Sequence, residues 1–269
     1  MRPLLDGIIE AAHAAGREIC RVYRGDLDVQ IKRDRSPVTA ADHAAERVIL
    51  ERLAQLAPDV PVVAEERVAA GEVPAIGRRL FLVDPLDGTR EFLSGNGEFT
   101  VNIALVEGGA PTLGVVYAPV ASMLYAGDTT VPAAFRMRLA PDDGEPRAAL
   151  REPIRVRATP PADDLVAVAS RSHRDPATDA YLARCKVARI ISVGSSLKFC
   201  RVAEGEADLY PRASAISEWD TAAGHALVVA AGGKVLDTRG VPLRYGKPGF
   251  RSGPFVAAGG IEPPIFDLA

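Results

Sequence analysis

An apolar stretch that ends in two carboxylates places the tightest constraint on how this chain can fold. Phe81–Val83 form a β-prone run, and the proline and glycine that follow are expected to turn the chain at once. Asp84 and Asp87 are therefore predicted at the end of a buried strand, where the backbone carbonyl of Leu86 can also point inward. Such hard oxygen ligands are those that Mg²⁺ prefers. The alternative is a surface turn, in which Asp and Gly are common.

The residues after this turn are suited to binding an anion. Thr89–Leu93 reads as the first turn of a helix, and Gly88 immediately precedes it. Unsatisfied N–H groups at a helix start bind anions, aided by the positive end of the helix dipole. We therefore expect the N–H groups of Gly88 and Thr89 to cradle a phosphate beside the predicted metal ligands.

Composition narrows the classes of partner. The formal net charge over 269 residues is −3, and the basic residues are scattered, which gives no support for binding a nucleic-acid polymer. No apolar run approaches the length that crosses a bilayer, so no integral membrane segment is expected. These features favour a cytoplasmic protein whose partner is a small molecule.

The cysteines and histidines carry little functional signal on their own. The cysteines are too few and too far apart for a disulfide framework or a zinc knuckle, and we expect all of them to be buried as small apolar residues. Among the histidines, His13 is predicted on a helix surface, whereas His225 is predicted to support helix packing. The cysteines are Cys20, Cys185 and Cys200.

Hydrophobic periodicity predicts an α/β fold class. Apolar spacing indicates helices over Pro3–Tyr23 and Ala40–Leu56, followed by an antiparallel meander over Phe99–Tyr125. Beyond about residue 160, strands and helices alternate along the chain. The first part is therefore expected to be α+β with an antiparallel sheet, and the second part mixed α/β.

We expect two closely packed domains. Residues 1–150 are predicted as an N-terminal domain that carries most of the metal ligands, and residues 151–269 as a C-terminal domain. The segment 141–161 is rich in proline and charge, and is the candidate connection, with one short strand at Ile154–Val156. The segment 128–153 contains no motif to which we assign a function.

Three further acids stand at element boundaries. Glu65 follows a short strand, Asp42 lies near the start of a helix, and Asp220 opens another helix. Two of them, Asp220 and Glu65, have a local alternative. Asp220 can be an acid favoured by the helix dipole, and the pair Glu65-Glu66 can be a solvated turn.

Five motifs, taken together and in this order, resemble the lithium-sensitive, magnesium-dependent phosphatase family that contains the inositol monophosphatases. The family motifs span most of the chain, and the D-P-x-D-G-T and W-D-x-A-A-G elements are specific in combination. For Lys32, the first of these motifs, the alternative is a strand lysine that is exposed to solvent. The matching residues are Lys32, Ser36–Asp42, Ala64–Glu66, Asp84–Thr89 and Trp219–Gly224.

The resemblance implies a layered αβαβα sandwich and a metal-dependent mechanism. Asp42 and Thr89 would orient and deprotonate the attacking water. Two to three Mg²⁺ ions, with Mn²⁺ as an alternative, would polarise the phosphate and stabilise the leaving oxygen. The implied metal ligands are Glu65, Asp84, the Leu86 carbonyl, Asp87 and Asp220.

Within the family, five segments look most like the 3'(2'),5'-bisphosphate nucleotidases. The implied reaction removes the 3'-phosphate from adenosine 3',5'-bisphosphate, giving AMP and phosphate, as part of sulfate assimilation. Inositol monophosphatase or fructose bisphosphatase activity, or a non-catalytic metal- or nucleotide-binding regulator, are the alternatives. The segments are Glu98–Leu105, Gly114–Pro119, Ser170–His173, Gly194–Cys200 and Ala207–Arg212.

Substrate choice requires a second anion site. Ser195 and Lys198, at a predicted helix start, match family positions that contact the 5'-phosphate, and Arg212 is expected to do the same. His173 matches a position near the adenine, with a loop histidine that binds no ligand as the alternative. Asp220, Gly88 and Thr89 are also expected to contact substrate. A monomer or homodimer is expected, with peripheral attachment to the inner membrane as an alternative location.

Overall fold

Two β-sheets with helices between and outside them organise the chain. The computed structural model describes residues 3–23, 29–31, 37–160, 163–172 and 174–266. The helices are α1 (Pro3–Tyr23), α2 (Ala40–Leu56), α3 (Glu65–Ala69), α4 (Thr89–Leu93), α5 (Pro176–Arg184), α6 (Leu197–Ala203) and α7 (Trp219–Ala230). Short 3₁₀ turns lie at Pro146–Ala148 and Pro248–Phe250.

The strands fall into two larger sheets and two short pairs. In the first half they are β1 (Val29–Ile31), β2 (Pro37–Thr39), β3 (Val62–Ala64), β4 (Arg79–Asp87), β5 (Thr100–Glu107), β6 (Ala110–Ala118), β7 (Met123–Asp128), β8 (Ala133–Arg138) and β9 (Glu152–Pro153). In the second half they are β10 (Val166–Ser170), β11 (Arg189–Val193), β12 (Leu209–Arg212), β13 (Ile216–Ser217), β14 (Lys234–Asp237), β15 (Arg251–Ser252) and β16 (Phe255–Ala258).

The larger sheet has seven strands in sequence order from β3 to β9. β3 is parallel to β4, and every later neighbour is antiparallel, which confirms the predicted meander. Because side chains alternate across a strand, β4 supplies two cores. Phe81 and Val83 pack with α1 and α2 on one face, whereas Leu80 and Leu82 pack with α6 and α7 on the other.

The second sheet has five strands in the order β11-β10-β12-β16-β14. Its β10 is parallel to β11 and β12, whereas β16 is antiparallel to both of its neighbours. One face packs against α6 and α7, and α5 covers the other through Tyr181 and Leu182. The layers therefore run helix, sheet, helix, sheet, helix, as expected for an αβαβα sandwich.

Helix α7 lies directly against the larger sheet. A Cβ atom at Gly114 of β6 would lie 2.3 Å from the backbone oxygen of Ala223, so the approach requires glycine. The hydrophobic core around α7 includes residues of both sheets, such as Leu82 and Val168. The division of the chain at residue 150 remains a prediction.

Several sequence-based predictions need correction. The chain does not turn directly after Val83, because β4 continues to Asp87 through a bulge. The strand expected at Ile154–Val156 is instead β9, two residues earlier, where it pairs with the unpredicted β8. His13 is 3% exposed rather than on the surface, because the segment around Ala140 covers it and its Nε2 lies 2.9 Å from the Ala140 carbonyl oxygen.

Other predictions of burial are confirmed. Cys20, Cys185 and Cys200 are free and buried. His225 is buried in the core, where its Nδ1 lies 2.9 Å from the Tyr245 hydroxyl. Among the described residues, no helix is both long and apolar enough to cross a bilayer.

Candidate active site

The bulge in β4 turns two acids to the same face of the sheet. Asp84 pairs with Asn102 and Asp87 with Thr100, so β4 advances three residues while β5 advances two. Without the extra residue, side chains three positions apart would point to opposite faces. The bulge therefore presents both carboxylates to the face that α7 covers, and it accommodates Pro85, which cannot donate to the ladder.

Glu65 joins these acids because β3 and β4 are parallel. Ala64 pairs with Val83, so Glu65 and Asp84 leave neighbouring strands at the same end. Glu65 begins α3, and the backbone N–H of Glu66 donates to Glu46 Oε2 at 2.9 Å. Glu66 is itself buried. The pair is therefore the fixed start of a helix rather than a solvated turn.

Asp220 reaches the same point from the start of α7. Carboxylate oxygens of Glu65, Asp84 and Asp220 all lie within 4.8 Å of one another. Desolvation, and then the charges of Asp87 and Glu65, raise the pKa of Asp220 well above its usual range. The charge of Arg212, and then a contact with Asp84, partly oppose that rise in the pKa of Asp220. A bound cation relieves the same repulsion.

Cationic side chains face the acids from the second half of the chain. Lys198 is 4% exposed, and its ammonium donates to the Ser195 carbonyl oxygen and lies 5.4 Å from the Tyr210 ring centroid. Arg212 interacts electrostatically with Asp220, and its Nε is buried without a hydrogen-bond partner among the described residues. Buried cationic donors of this kind are suited to an anionic ligand.

A single cavity of about 250 Å³ brings most of the predicted site together. It is lined by all five predicted metal ligands and by all but one of the predicted substrate contacts. His173 is the exception, and it lies outside the described residues, as does Lys32. The predicted residues that line the cavity are Glu65, Asp84, Leu86, Asp87, Gly88, Thr89, Ser195, Lys198, Arg212 and Asp220.

Asp42 is placed differently from the other predicted residues. It is 1% exposed and, among the described residues, does not belong to the cavity lining. The backbone N–H and the hydroxyl of Thr39 each donate to Asp42 Oδ2 at 2.7 Å, which completes a capping box at the start of α2. β2, which ends at Thr39, lies against α4, which begins at Thr89. The role of Asp42 as a base remains a prediction.

Sequence reasoning missed several residues of the site. Glu91 and Ser196 line the cavity, and Tyr210 lies at its cationic side. Asn102, opposite Asp84 on β5, donates to Asp87 and Ser196 beneath the cavity floor. Glu91 lies in the same short helix as Thr89, two residues later, so its nearness to the predicted site could have been inferred from that helix. Asn102 is reached only through strand register, which no local motif reveals.

The donor set fits a hard divalent cation. Carboxylates from separate elements converge, and the ligand atoms are all oxygens, which Mg²⁺ and Mn²⁺ prefer over nitrogen or sulfur. Lys198 and Arg212 line the same cavity, and Arg212 interacts electrostatically with Asp220 of this cluster. The site can therefore hold cations at the carboxylates and an anionic group that also contacts Lys198 and Arg212.

Comparison with known proteins places these features in a family. The profile of the inositol monophosphatase family matches residues 1–259. The 3'(2'),5'-bisphosphate nucleotidase CysQ of Escherichia coli strain K12 is 48% identical over 257 residues, covering 92% of this chain and 98% of the relative.

Solved structures agree with this assignment. The crystal structure of CysQ from Bacteroides thetaiotaomicron, described as a bacterial member of the inositol monophosphatase family, is 38% identical with a TM-score of 0.80, covering 96% of this chain and 97% of that one. The inositol monophosphatase from Anabaena sp. PCC 7120 is 29% identical with a TM-score of 0.72, covering 96% and 91%. The expected fold class and family are confirmed, and the chain belongs to the inositol monophosphatase family.

Proposed function

We propose that this protein is a Mg²⁺-dependent 3'(2'),5'-bisphosphate nucleotidase that hydrolyses adenosine 3',5'-bisphosphate to AMP and phosphate. The observation that carries the proposal is one cavity lined by two charged groups, a cluster of carboxylates, called here the acid wall, and the cationic side chains of Lys198 and Arg212, called here the cationic wall. The near full-length similarity to bisphosphate nucleotidases supports the nucleotide as substrate. The expected setting is sulfate assimilation in the cytoplasm, with the protein as a monomer or homodimer.

The acid wall would hold the metal. Glu65, Asp84, Asp87 and Asp220, with the Leu86 carbonyl, are the proposed ligands for two to three ions. When bound, Mg²⁺ supplies charge that polarises the phosphate, lowers the pKa of a water and stabilises the leaving oxygen. The chain itself contributes the geometry, since the bulge in β4 and the start of α7 fix the carboxylates before any ligand arrives.

Proton removal from the attacking water is assigned to Asp42 and Thr89. Thr89 lines the cavity at the start of α4. Asp42 is held by Thr39 at the neighbouring start of α2, so the carboxylate is fixed in orientation. We propose that Thr89 positions the attacking water and that a proton of this water passes to Asp42.

The cationic wall would select the second phosphate. Lys198 and Arg212 bring positive charge to the lining of the cavity that also holds the proposed metal ligands. A substrate with phosphates at both ends of a ribose can satisfy both walls at once, whereas a monophosphate satisfies one. His173 is proposed to contact the adenine.

A substrate panel tests the proposal. Phosphate release is measured with Mg²⁺ on adenosine 3',5'-bisphosphate, inositol monophosphate and fructose bisphosphate. We expect a clear preference in kcat/KM for the nucleotide. Lys198→Ala should raise KM for the nucleotide about tenfold or more, since a charged hydrogen bond contributes roughly 1.5–3 kcal/mol, and should change KM for inositol monophosphate far less. A preference for either non-nucleotide would overturn the assignment.

A further inference from the structure

A buried polar chain connects the acid wall to the cationic wall. It consists of Thr100 and Asn102 on β5 and of Ser195 and Ser196 in the loop before α6. Thr100 and Asn102 are fully buried and Ser196 is 2% exposed. None of these contacts is needed to close a sheet or helix, and buried polar groups are costly unless every partner is satisfied.

The side chain of Asn102 is the branch point of this chain. Its Nδ2 donates to Ser196 Oγ at 2.9 Å and to Asp87 Oδ2 at 3.4 Å, and its Oδ1 lies 3.0 Å from Thr100 Oγ1. An ionised carboxylate can only accept, so the amide nitrogen must face Asp87. The amide oxygen must then face Thr100, and the Thr100 hydroxyl must donate to it.

This orientation fixes every other proton in the chain. Thr100 Oγ1 lies 2.7 Å from Ser195 Oγ, and because the Thr100 proton is already used, Ser195 must donate to Thr100. Ser196 accepts from Asn102 and donates to the Asp220 backbone oxygen at 3.0 Å. Each hydroxyl and both amide hydrogens are then used once. The hydrogen bonds of this polar chain therefore have only one possible donor-to-acceptor direction, and the carboxylate of Asp87 determines it.

The same chain holds Ser195 in an unusual conformation. Ser195 has a φ of 53°, which is in the left-handed region that non-glycine residues rarely adopt. Its hydroxyl is tied to Thr100, and its carbonyl accepts from the Lys198 ammonium. Local strain of this kind persists only where the surroundings determine it, and it concentrates at functional sites.

We propose that Asn102 is a positioning residue that sets the metal ligands Asp87 and Asp220 and the phosphate-side loop at Ser195 in one fixed relation. The inference rests on the proposed function and deepens it. The Ser195 hydroxyl already donates its proton to Thr100 within the polar chain and cannot donate to a ligand. The second phosphate therefore takes its charged hydrogen bonds from Lys198 and Arg212. Ser195 contributes through its backbone and through the placement of the loop.

The test compares variants by two measurements. The dissociation constant for Mg²⁺ is measured by calorimetry without substrate, and KM is measured for adenosine 3',5'-bisphosphate. Asn102→Ala should raise both, the first by about 10–100-fold, as expected when a residue that orients a metal ligand is lost. Thr100→Val should raise KM about fivefold, because one hydrogen bond to the phosphate-side loop is lost, and should leave the Mg²⁺ constant within about twofold.

Controls separate positioning from loss of stability. Tyr117→Phe removes a buried hydrogen bond to the Leu139 carbonyl oxygen, on the face of the larger sheet that packs against α1, and should change neither constant. If Asn102→Ala does not fold, Ser196→Ala carries the test, since it removes both the link to the Asp220 carbonyl oxygen and the acceptor of the Asn102 amide, and should still raise the Mg²⁺ constant. An Mg²⁺ constant within twofold of the wild-type value in the folded variant, or an equal rise in Tyr117→Phe, overturns the inference.

The Mg²⁺ measurement is independent of the substrate. If the wild-type protein binds Mg²⁺ but does not prefer the bisphosphate, the proposed function fails, and the comparison of Asn102→Ala with wild type still decides whether Asn102 positions the metal ligands. If the protein prefers the bisphosphate and Asn102→Ala binds Mg²⁺ like wild type, only the inference fails.

Discussion

A buried histidine makes the stability of this protein depend on pH. Burial lowers the pKa of His225 from 6.5 to about 3. The neutral ring is therefore favoured in the folded state, and its contribution to stability is present above pH 6.5 and is lost as the pH falls towards 3. Below pH 6.5 the free energy of unfolding should fall by about 1.4 kcal/mol per pH unit on account of this group alone.

Urea unfolding between pH 7.5 and 4.5 measures this effect, with His225→Gln as the matched variant. Glutamine keeps a polar group near the Tyr245 hydroxyl but does not titrate in this range. The variant should lose less stability than wild type on acidification, although it starts from a lower value at pH 7.5. Parallel curves for the two proteins would show that His225 protonates freely in the folded state.

At the scale of single residues, the sequence identified those site residues whose function follows from the type of side chain. Glu65, Asp84, Asp87 and Asp220 could be named in advance because their motifs resemble a known family and because carboxylates at strand and helix ends suit a metal. Asn102 was not identified, since an asparagine within a strand has no signal until its neighbours across the sheet are known. His13 was misplaced for a related reason, because the segment that covers it lies more than 120 residues away.

Gly88 is the residue that connects β4 to α4, and its backbone conformation leads to a separate prediction. This residue has a φ of 93°, and an added Cβ would lie 3.2 Å from Ser195 Cβ and 3.4 Å from the Glu98 backbone oxygen. Gly88→Ala should cost about 1–2 kcal/mol of stability through left-handed strain. It should also reduce kcat/KM at least tenfold, because the strained residue carries a proposed phosphate contact.

Gly71→Ala is the matched control for this substitution. Gly71 has a φ of 87°, but no heavy atom in the described part of the chain lies within 4 Å of an added Cβ. It should show a comparable loss of thermal stability with unchanged kinetics. Equal kinetic losses in both variants would mean that strain alone, rather than the position beside the cavity, explains the effect on catalysis.

Whole elements were predictable where one periodicity ran for many residues. α1 and α2 were predicted with the bounds that the structure has, because their apolar stripes extend over several turns. The bulge in β4 was read as a turn, since Pro85 and the following glycine give the same local signal in either case. β8 was missed because its alternation is short and lies in a segment rich in turn residues.

For the whole molecule, the site depends on layer packing that no segment contains by itself. Glu65 and Asp84 come from the larger sheet, whereas Asp220 comes from the helix between the two sheets. The sequence could supply the ligands and, by resemblance, the fold class. The distances between them follow from how closely α7 approaches β6, and that approach depends on a glycine with no chemical role.

This dependence predicts a long-range effect of Gly114. Gly114→Ala places a Cβ 2.3 Å from the Ala223 oxygen and 2.8 Å from Ala226 Cβ, so α7 must shift away from the sheet. Stability should fall by about 1–3 kcal/mol, as for other overpacked cores, and the Mg²⁺ dissociation constant should rise because Asp220 moves with the helix. Unfolding followed by the fluorescence of Trp219, the single tryptophan, and by circular dichroism should shift together.

Gly144→Ala is the control, because no heavy atom of the residues that the structure describes lies within 4 Å of an added Cβ there. It should change the free energy of unfolding by no more than about 0.5 kcal/mol and leave Mg²⁺ binding unaltered. The same data test the predicted division at residue 150. Since α7 packs between both sheets, we expect one cooperative transition. Two separated transitions in Gly114→Ala, with Mg²⁺ binding lost in only the first, would instead mean that the two halves fold independently and that α7 merely docks between them.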